Sequence, residues 1–317
     1  MSTDRAIRTT RFHPLVRQTL NGATMGTRYS AVFYSSEETN MPALAAALFA
    51  AVDQVDRQMS TWKPRSDLNR LNAAPVGAWV PMPRELMRVL AKSLEIGRIT
   101  KGAFDIGVGD LVAAWGFGAP GLWPDRGGLV NRPRPITTTA LLLNEGAGLA
   151  CKTAALCLDL SGIAKGFGVD ELARVMDAFA IPAWLVGIDG EMRAKGMKPD
   201  GEPWAVAHER PDRSVREPMG VIELHDMAVA TSGNYRHWIE TDGRIVSHTM
   251  NAATSAPLDN AVASVTVMAP TCMEADAFAT AFMVLGVEES MRIAKARGIE
   301  VIFVLNNGSV VMAEAPD

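Results

Sequence analysis

The chain has 317 residues, 48% of them hydrophobic and 21% charged, which excludes a disordered or fibrous protein and allows a large core, as one unit or as two lobes. A formal net charge of −4 with no basic block gives no electrostatic case for binding nucleic acid or an anionic membrane surface. Three cysteines cannot build a full disulfide framework, so reduced thiols are expected; if residues 151–157 form a strand, Cys151 and Cys157 stand about 20 Å apart, too far to bridge.

The opening M-S-T-D-R-A-I-R-T-T-R-F-H-P-L-V-R lacks the apolar centre of a signal peptide, and no later run is long and apolar enough to span a bilayer. As written, the sequence reads as cytoplasmic, with a periplasmic location the alternative if an export signal has been removed. Residues 1–20 read as a polar arm. G-A-T-M-G-T-R-Y-S-A-V-F-Y then alternates as a strand, with Gly22 and Gly26 bracketing Met25. Apolar residues recur at helical period from Met41 to Met59, and Pro64 forbids the helix from continuing, which places Trp62 in an exit loop. There its ring covers either a core edge or a flat ligand.

Arg84 to Thr100 reads as a second amphipathic helix, opened by Pro83. A-F-D-I-G-V-G-D-L-V-A-A-W-G-F-G, from Ala103 to Gly118, gives a glycine-rich turn, a short helix and a stop, and the Gly- and Pro-rich residues 119–134 predict a surface excursion. Ala154 to Leu160 reads as a strand feeding S-G-I-A-K-G-F-G, a turn that opens a helix and presents backbone donors and Lys165 to an anion. Its glycine spacing fits neither a P-loop nor a dinucleotide-binding fingerprint. From residue 182 onward, strand-like runs follow one another, broken by a helix over Met273–Leu285 and closed by a hairpin at Asn307-Gly308. Strands in succession with grouped helices predict an α+β fold of mixed, largely antiparallel sheets.

The stretch from Ser247 to Thr280 concentrates a histidine, amides, hydroxyls and one helix-borne carboxylate. Asp276 and Thr280 sit four apart, so both oxygens project from one helix face, and hard oxygen donors suit Mg2+ or Ca2+ better than zinc. Taken alone, a D-x-x-x-T spacing is more often a solvated helix position. Of the five histidines, His248 is the one placed beside a polar cluster.

Several ordered motifs together resemble the FAD:protein FMN transferases, the ApbE family. They are T-M-G-T at Thr24–Thr27, M-S-T-W followed by S-D-L-N-R-L-N, G-A-F-D with V-G-D-L-V-A-A-W-G-F-G, L-D-L-S-G-I-A-K-G, A-T-S-G-N-Y, S-H-T-M, and A-D-A-F-A-T, in family order from about Gly22 to about Leu285. The resemblance implies an ApbE-like (T-fold-like) architecture over residues 21–317, one unit or two lobes sharing one FAD cleft. It implies Mg2+-dependent cleavage of FAD, with FMN attached through a phosphoester to a Thr or Ser of an acceptor flavoprotein and AMP released. Carried over by position, it places Met25, Trp62, Ala103, Phe104, Asp105, Ser161, Phe167, Thr231, Ser232, Gly233 and Met250 at the FAD pocket. It assigns Asp276, Thr280 and the carbonyl of Ala164 to the metal, Lys165 to the phosphates, and His248 to deprotonation of the acceptor hydroxyl.

The chain departs from the family at particular points. H-T-M-N-A-A-T-S stands where the family reads H-x-x-D-P-R-T-G, F-D-I-G-V-G replaces F-D-P-T-V-G, and Asp189 replaces one glycine of a G-G-[DE] motif. Asn251 therefore takes the place of a carboxylate beside the proposed base, which predicts retained FAD and metal binding with slower transfer. An FAD pyrophosphatase giving FMN and AMP, and a catalytically impaired FAD-binding protein, are the alternatives.

Overall fold

In the computed structural model, which describes residues 15–118, 134–236, 238–241 and 244–313, the elements run β1 (Val16–Thr24), β2 (Thr27–Ser35), α1 (Met41–Met59), α2 (Asp67–Ala73), β3 (Trp79–Pro81), α3 (Arg84–Ile99), α4 (Gly109–Ala114), α5 (Thr137–Ala140), β4 (Leu141–Asn144) and β5 (Leu149–Lys152). They continue α6 (Ala164–Ala178), β6 (Ala183–Ile188), β7 (Glu191–Lys195), β8 (Trp204–Glu209), β9 (Pro218–Leu224), β10 (Ala228–Gly233), β11 (Trp238–Thr241), β12 (Arg244–Ser247), β13 (Met250–Asn251) and β14 (Ala256–Pro257). The last are β15 (Val262–Ala269), α7 (Cys272–Leu285), α8 (Val287–Arg297), β16 (Glu300–Leu305) and β17 (Val310–Ala313). Eight strands form one sheet in the order β1-β2-β6-β7-β10-β15-β16-β17, and every pair in it is antiparallel. The α+β class is as expected.

Both faces of this sheet are covered. Along β2 the pleat sends Tyr29, Ala31 and Phe33 into a core shared with α1 and α6, while Val32 and Tyr34 face the other side. β6 is buried at every position, with Trp184, Val186 and Ile188 against the helices and Ala183 and Leu185 under the β8–β9 hairpin, which is why its sequence is a continuous apolar run. That hairpin also brings His208 onto the sheet, where its Nε2 lies 3.1 Å from Thr266 Oγ1. Helix α7 is apolar nearly all round because it is enclosed on several sides, by β10, β15, α6 and α3.

Helix ends follow local chemistry. Asn40 accepts from the backbone N–H of Ala43 to open α1, Ser66 does the same from Asn69 for α2, and Thr271 from Glu274 for α7. Asp170 of α6 adds a second cap to α7, its two oxygens accepting from the N–H groups of Cys272 and Met273 at 3.0 and 2.9 Å, with Arg193 of β7 paired to it at 2.7 Å.

Two expectations need amendment, and a third falls outside the described residues. β1 starts at Val16, inside the segment read as a polar arm; it is an edge strand whose outward residues are solvated, so its composition resembles that of an unstructured tail. Ala154–Leu160 is not a strand beyond one bridge from Cys157 to Val108. The Asn72 side chain replaces a strand partner there, donating to the Leu158 carbonyl at 2.9 Å and accepting from its N–H at 2.8 Å. Cys151 therefore lies in β5 and Cys157 in the loop beyond it; both are buried free thiols, as is Cys272. The excursion expected over 119–134 falls, up to residue 133, outside the described residues.

The first turn of α6 crosses α7 at very short range. A Cβ on Gly166 would stand 2.3 Å from the Cys272 carbonyl oxygen and 2.7 Å from the Asp276 Cβ. Alanine is the better helix former, so in an open helix Gly166→Ala would stabilise; here it should destabilise by roughly 1–3 kcal/mol through overpacking. Gly220→Ala, with nothing within 4 Å of the added carbon, is the control. Urea unfolding midpoints should fall for Gly166→Ala and stay near wild type for Gly220→Ala; equal midpoints would mean that the helices have room to part.

Candidate active site

A cavity of about 820 Å³ opens between the rim of the large sheet, the C-terminal end of α1 and the loops around α4 and α6. That volume lies in the range of small-molecule and cofactor sites. One end is apolar and open. Met25 sits at the tip of the β1–β2 hairpin in the left-handed backbone region (φ 46°), and Trp62 stands in the loop after α1 with 60% of its surface exposed. That loop is held by Asn69, whose amide donates to the carbonyls of Thr61 and Lys63 at 3.0 and 2.9 Å. The two asparagines of S-D-L-N-R-L-N thus each fix a wall of the cavity, Asn69 the Trp62 loop and Asn72 the segment leading to Asp159.

The next wall is the loop Ala103–Val108. Phe104 is buried, and Asp105 accepts from the Gly107 N–H at 2.7 Å while burial, opposed by hydrogen bonds and Arg134, raises its carboxyl above the ordinary value. Arg134 clamps the loop by reaching Asp110 and the Gly107 carbonyl. Opposite it, Ser161 receives Asp159 as the acceptor of both its N–H, at 2.8 Å, and its hydroxyl. Thr231, Ser232 and Gly233 at the end of β10 complete the floor; Thr231 bonds Thr266 at 2.8 Å, and Thr266 is the residue His208 reaches from behind. His248 and Met250 line the far side, where the His248 ring meets Phe117 edge-on with centroids 6.2 Å apart.

The deep end is charged. Lys165, at the first turn of α6, pairs with the buried Glu191 at 2.7 Å and lies 3.5 Å from Asp189. Burial pulls the Lys165 ammonium down, but the charges of Glu191, Asp276 and Asp189 outweigh it and hold the group above its ordinary value. Thr280 reaches the cavity and bonds Ser232 at 3.1 Å; Asp276, one turn back along α7, is buried behind it and accepts from the Gly166 N–H at 2.9 Å. Burial and the Glu191 charge push the Asp276 carboxyl up to about 7 against the pull of Lys165 and that N–H.

The residues present suit a hard divalent cation. Among the described residues no three His, Cys, Asp or Glu side chains converge as a metal-binding group. A cation here would rest on one carboxylate, the Thr280 hydroxyl and a peptide carbonyl such as that of Ala164, which also lines the cavity. The close approach of Gly162 to Thr280, with 3.0 Å between a built Cβ and Oγ1, keeps the α6 loop tight against that hydroxyl.

Three of the expected site residues do not line the cavity: Asp276, buried behind Thr280, and two that lie elsewhere. Phe167 does not face the cavity: it is fully buried in the core, under the Arg88 guanidinium 5.3 Å from its ring centre, because the α6 helical turn carries it to the side opposite Lys165. Asn251 is also off the cavity wall and accepts from the Ala253 N–H at 3.0 Å, bracing the turn between β13 and β14. Sequence reasoning missed Glu191 as the partner of Lys165 and Asp159 as the anchor of Ser161. The Asp-Gly turn signal before Glu191 and the D-x-S spacing before Ser161 were the available cues.

Residues 25–303 match the ApbE family. A FAD:protein FMN transferase of Vibrio cholerae is 37% identical over 290 residues, covering 90% of this chain and 86% of that protein. Among solved structures, flavin transferase ApbE from Vibrio cholerae superposes with a TM-score of 0.82 at 33% identity over 95% of this chain and 98% of that one. The apo form of flavinyl transferase ApbE from Pseudomonas stutzeri gives 0.82 at 32% identity, over 96% of each chain. On the match over residues 25–303 and the identity to these relatives along most of both chains, the chain belongs to the ApbE family.

Proposed function

We propose that the protein is a Mg2+-dependent FAD:protein FMN transferase. The observation that carries this reading is the layout of the cavity: an open end with the exposed Trp62 beside Met25, and a closed end with Lys165 and Thr280 and the buried Asp276 carboxylate behind them. FAD has the same layout, a flat isoalloxazine ring joined to a pyrophosphate. The ring lies against Trp62 and Met25, and the pyrophosphate meets Lys165 and the backbone donors of the Ser161–Ala164 turn.

Asp276, Thr280 and the Ala164 carbonyl would hold Mg2+, which when bound supplies Lewis-acid stabilisation of charge on the phosphoryl oxygens. In the transfer step the hydroxyl oxygen of an acceptor Thr or Ser forms a bond to the FMN phosphorus. The pyrophosphate P–O bond breaks and AMP leaves with its electron pair, while the hydroxyl proton passes to the His248 imidazole. Lys165 stays protonated under the charges of Glu191, Asp276 and Asp189 and acts as a fixed cation at the phosphates. Asn251 serves this arrangement indirectly, by holding the turn that follows His248.

Incubation with FAD and Mg2+, with and without an acceptor flavoprotein carrying a Thr or Ser site, tests the reading. Mass spectrometry should show flavinylated acceptor and stoichiometric AMP. AMP without flavinylation would make the protein a pyrophosphatase, and bound, uncleaved FAD would make it a binder. Asp276→Ala should abolish Mg2+-dependent AMP release while retaining weakened FAD binding; full activity in that variant would reject the metal assignment.

Trp62 supplies a second prediction. Its exposure leaves little core contact to lose, so Trp62→Ala should weaken FAD binding by roughly 1–3 kcal/mol, by analogy with base stacking, with the melting temperature nearly unchanged. A large drop in melting temperature at constant FAD affinity would make the ring a structural cover instead.

A further inference from the structure

Three carboxylates surround the Lys165 ammonium. Glu191 is buried and doubly engaged, its Oε1 accepting from Lys165 at 2.7 Å and its Oε2 from the Gly190 N–H at 3.3 Å. Asp276 is buried on the Gly166 N–H. Asp189, which like Glu191 lines the cavity, differs in exposure: it stands at the β6–β7 turn with 44% of its side chain exposed, and its carboxylate is 3.5 Å from the ammonium. Its backbone is left-handed, with φ at 58°, a conformation that Asp and Asn adopt in the two-residue loops of hairpins. The local fold makes no use of the carboxylate, since the turn is held by the Asp189 N–H to the Arg28 carbonyl and by the β6–β7 ladder.

We propose that Asp189 makes anion binding at Lys165 conditional on a divalent cation, so that it is a specificity-determining residue for metal-bound over metal-free pyrophosphate. This rests on the reading that the FAD pyrophosphate meets Lys165. The Lys165 ammonium is already paired with Glu191 and flanked by Asp189 and Asp276, and the nearby Arg236, which also feels the Asp189 charge, is paired with Glu209, so a pyrophosphate entering alone adds negative charge beside the exposed Asp189 carboxylate. A pyrophosphate entering with its cation restores the balance. Of the three carboxylates, Asp189 is the exposed one, on the cavity wall where both would arrive. Because coupling is reciprocal, the factor by which the cation tightens FAD equals the factor by which FAD tightens the cation, and Asp189 contributes to both.

The test is FAD affinity of the full chain by quenching of flavin fluorescence, for wild type, Asp189→Gly and Asp189→Asn, each in EDTA and in saturating Mg2+. In EDTA both variants should bind FAD about fivefold more tightly than wild type, the scale of a partly exposed charge interaction. In Mg2+ the three affinities should converge, so the Mg2+/EDTA ratio falls by about the same factor. A purely structural role would shift affinity in both conditions together and leave the ratio alone. Asp189→Asn keeps the side-chain shape and tolerates the left-handed backbone, so it removes the charge alone. An unchanged ratio in both variants overturns the proposal alone; no FAD binding even by wild type overturns the reading of the site and the proposal with it.

Discussion

The site depends on the contact between the first turn of α6 and the middle of α7. The Gly166 N–H, one of the donors that a helix N-terminus leaves unpaired, is satisfied by the buried Asp276 carboxylate at 2.9 Å, and no side chain fits between the two backbones. One helical turn further along α6, Asp170 caps the N-terminus of α7 and is held from β7 by Arg193. Two contacts a turn apart fix the position of α7 along α6 as well as the crossing. Lys165 and Thr280 consequently emerge on the same side, facing the cavity, with Glu191 and Asp276 behind them.

That packing has an electrostatic consequence. Glu191 and Asp276 are buried beside one lysine, and burial with the Glu191 charge makes the Asp276 carboxyl hard to ionise. Such an arrangement costs stability in the empty protein and is relieved by a cation. The apolar end carries the opposite character: Trp62 is exposed, yet its loop is tied down by three carbonyl contacts from Asn69, so the ring is presented without having to be ordered on binding. Cavity shape and charge therefore come from separate devices, asparagine ties at one end and helix packing at the other.

Much of this was legible in the sequence. Period-3.6 patterning located α1 and α3, Pro64 marked the exit loop, and Asn307-Gly308 marked the closing hairpin, because each signal acts locally. The i, i+4 spacing put Asp276 and Thr280 on one face of α7, and they are indeed neighbours on it, with Thr280 at the cavity and Asp276 behind. What failed depended on contacts distant in sequence. Ala154–Leu160 has a strand-like composition, but its partner is the Asn72 side chain rather than another strand. Phe167 sits two residues from Lys165 in a motif of the site, and only the helical turn shows that it points to the core. Glu191 could not be matched to Lys165 from spacing, since 26 residues and a whole helix separate them. Asn251 is the local exception: its amide oxygen accepts from the Ala253 N–H and braces its own turn instead of facing the cavity.

The central claim is that one cavity holds FAD lengthwise, ring toward the Trp62 loop and pyrophosphate toward α6 and α7. A crystal structure of the protein with FAD and Mg2+ tests it most directly. The account predicts the isoalloxazine against the Trp62 indole and Met25, and the pyrophosphate between Lys165 and Thr280 with the cation on the Asp276 carboxylate. Flavin bound in the reverse direction, with adenine at Trp62, or a cation bound away from Asp276 would contradict it.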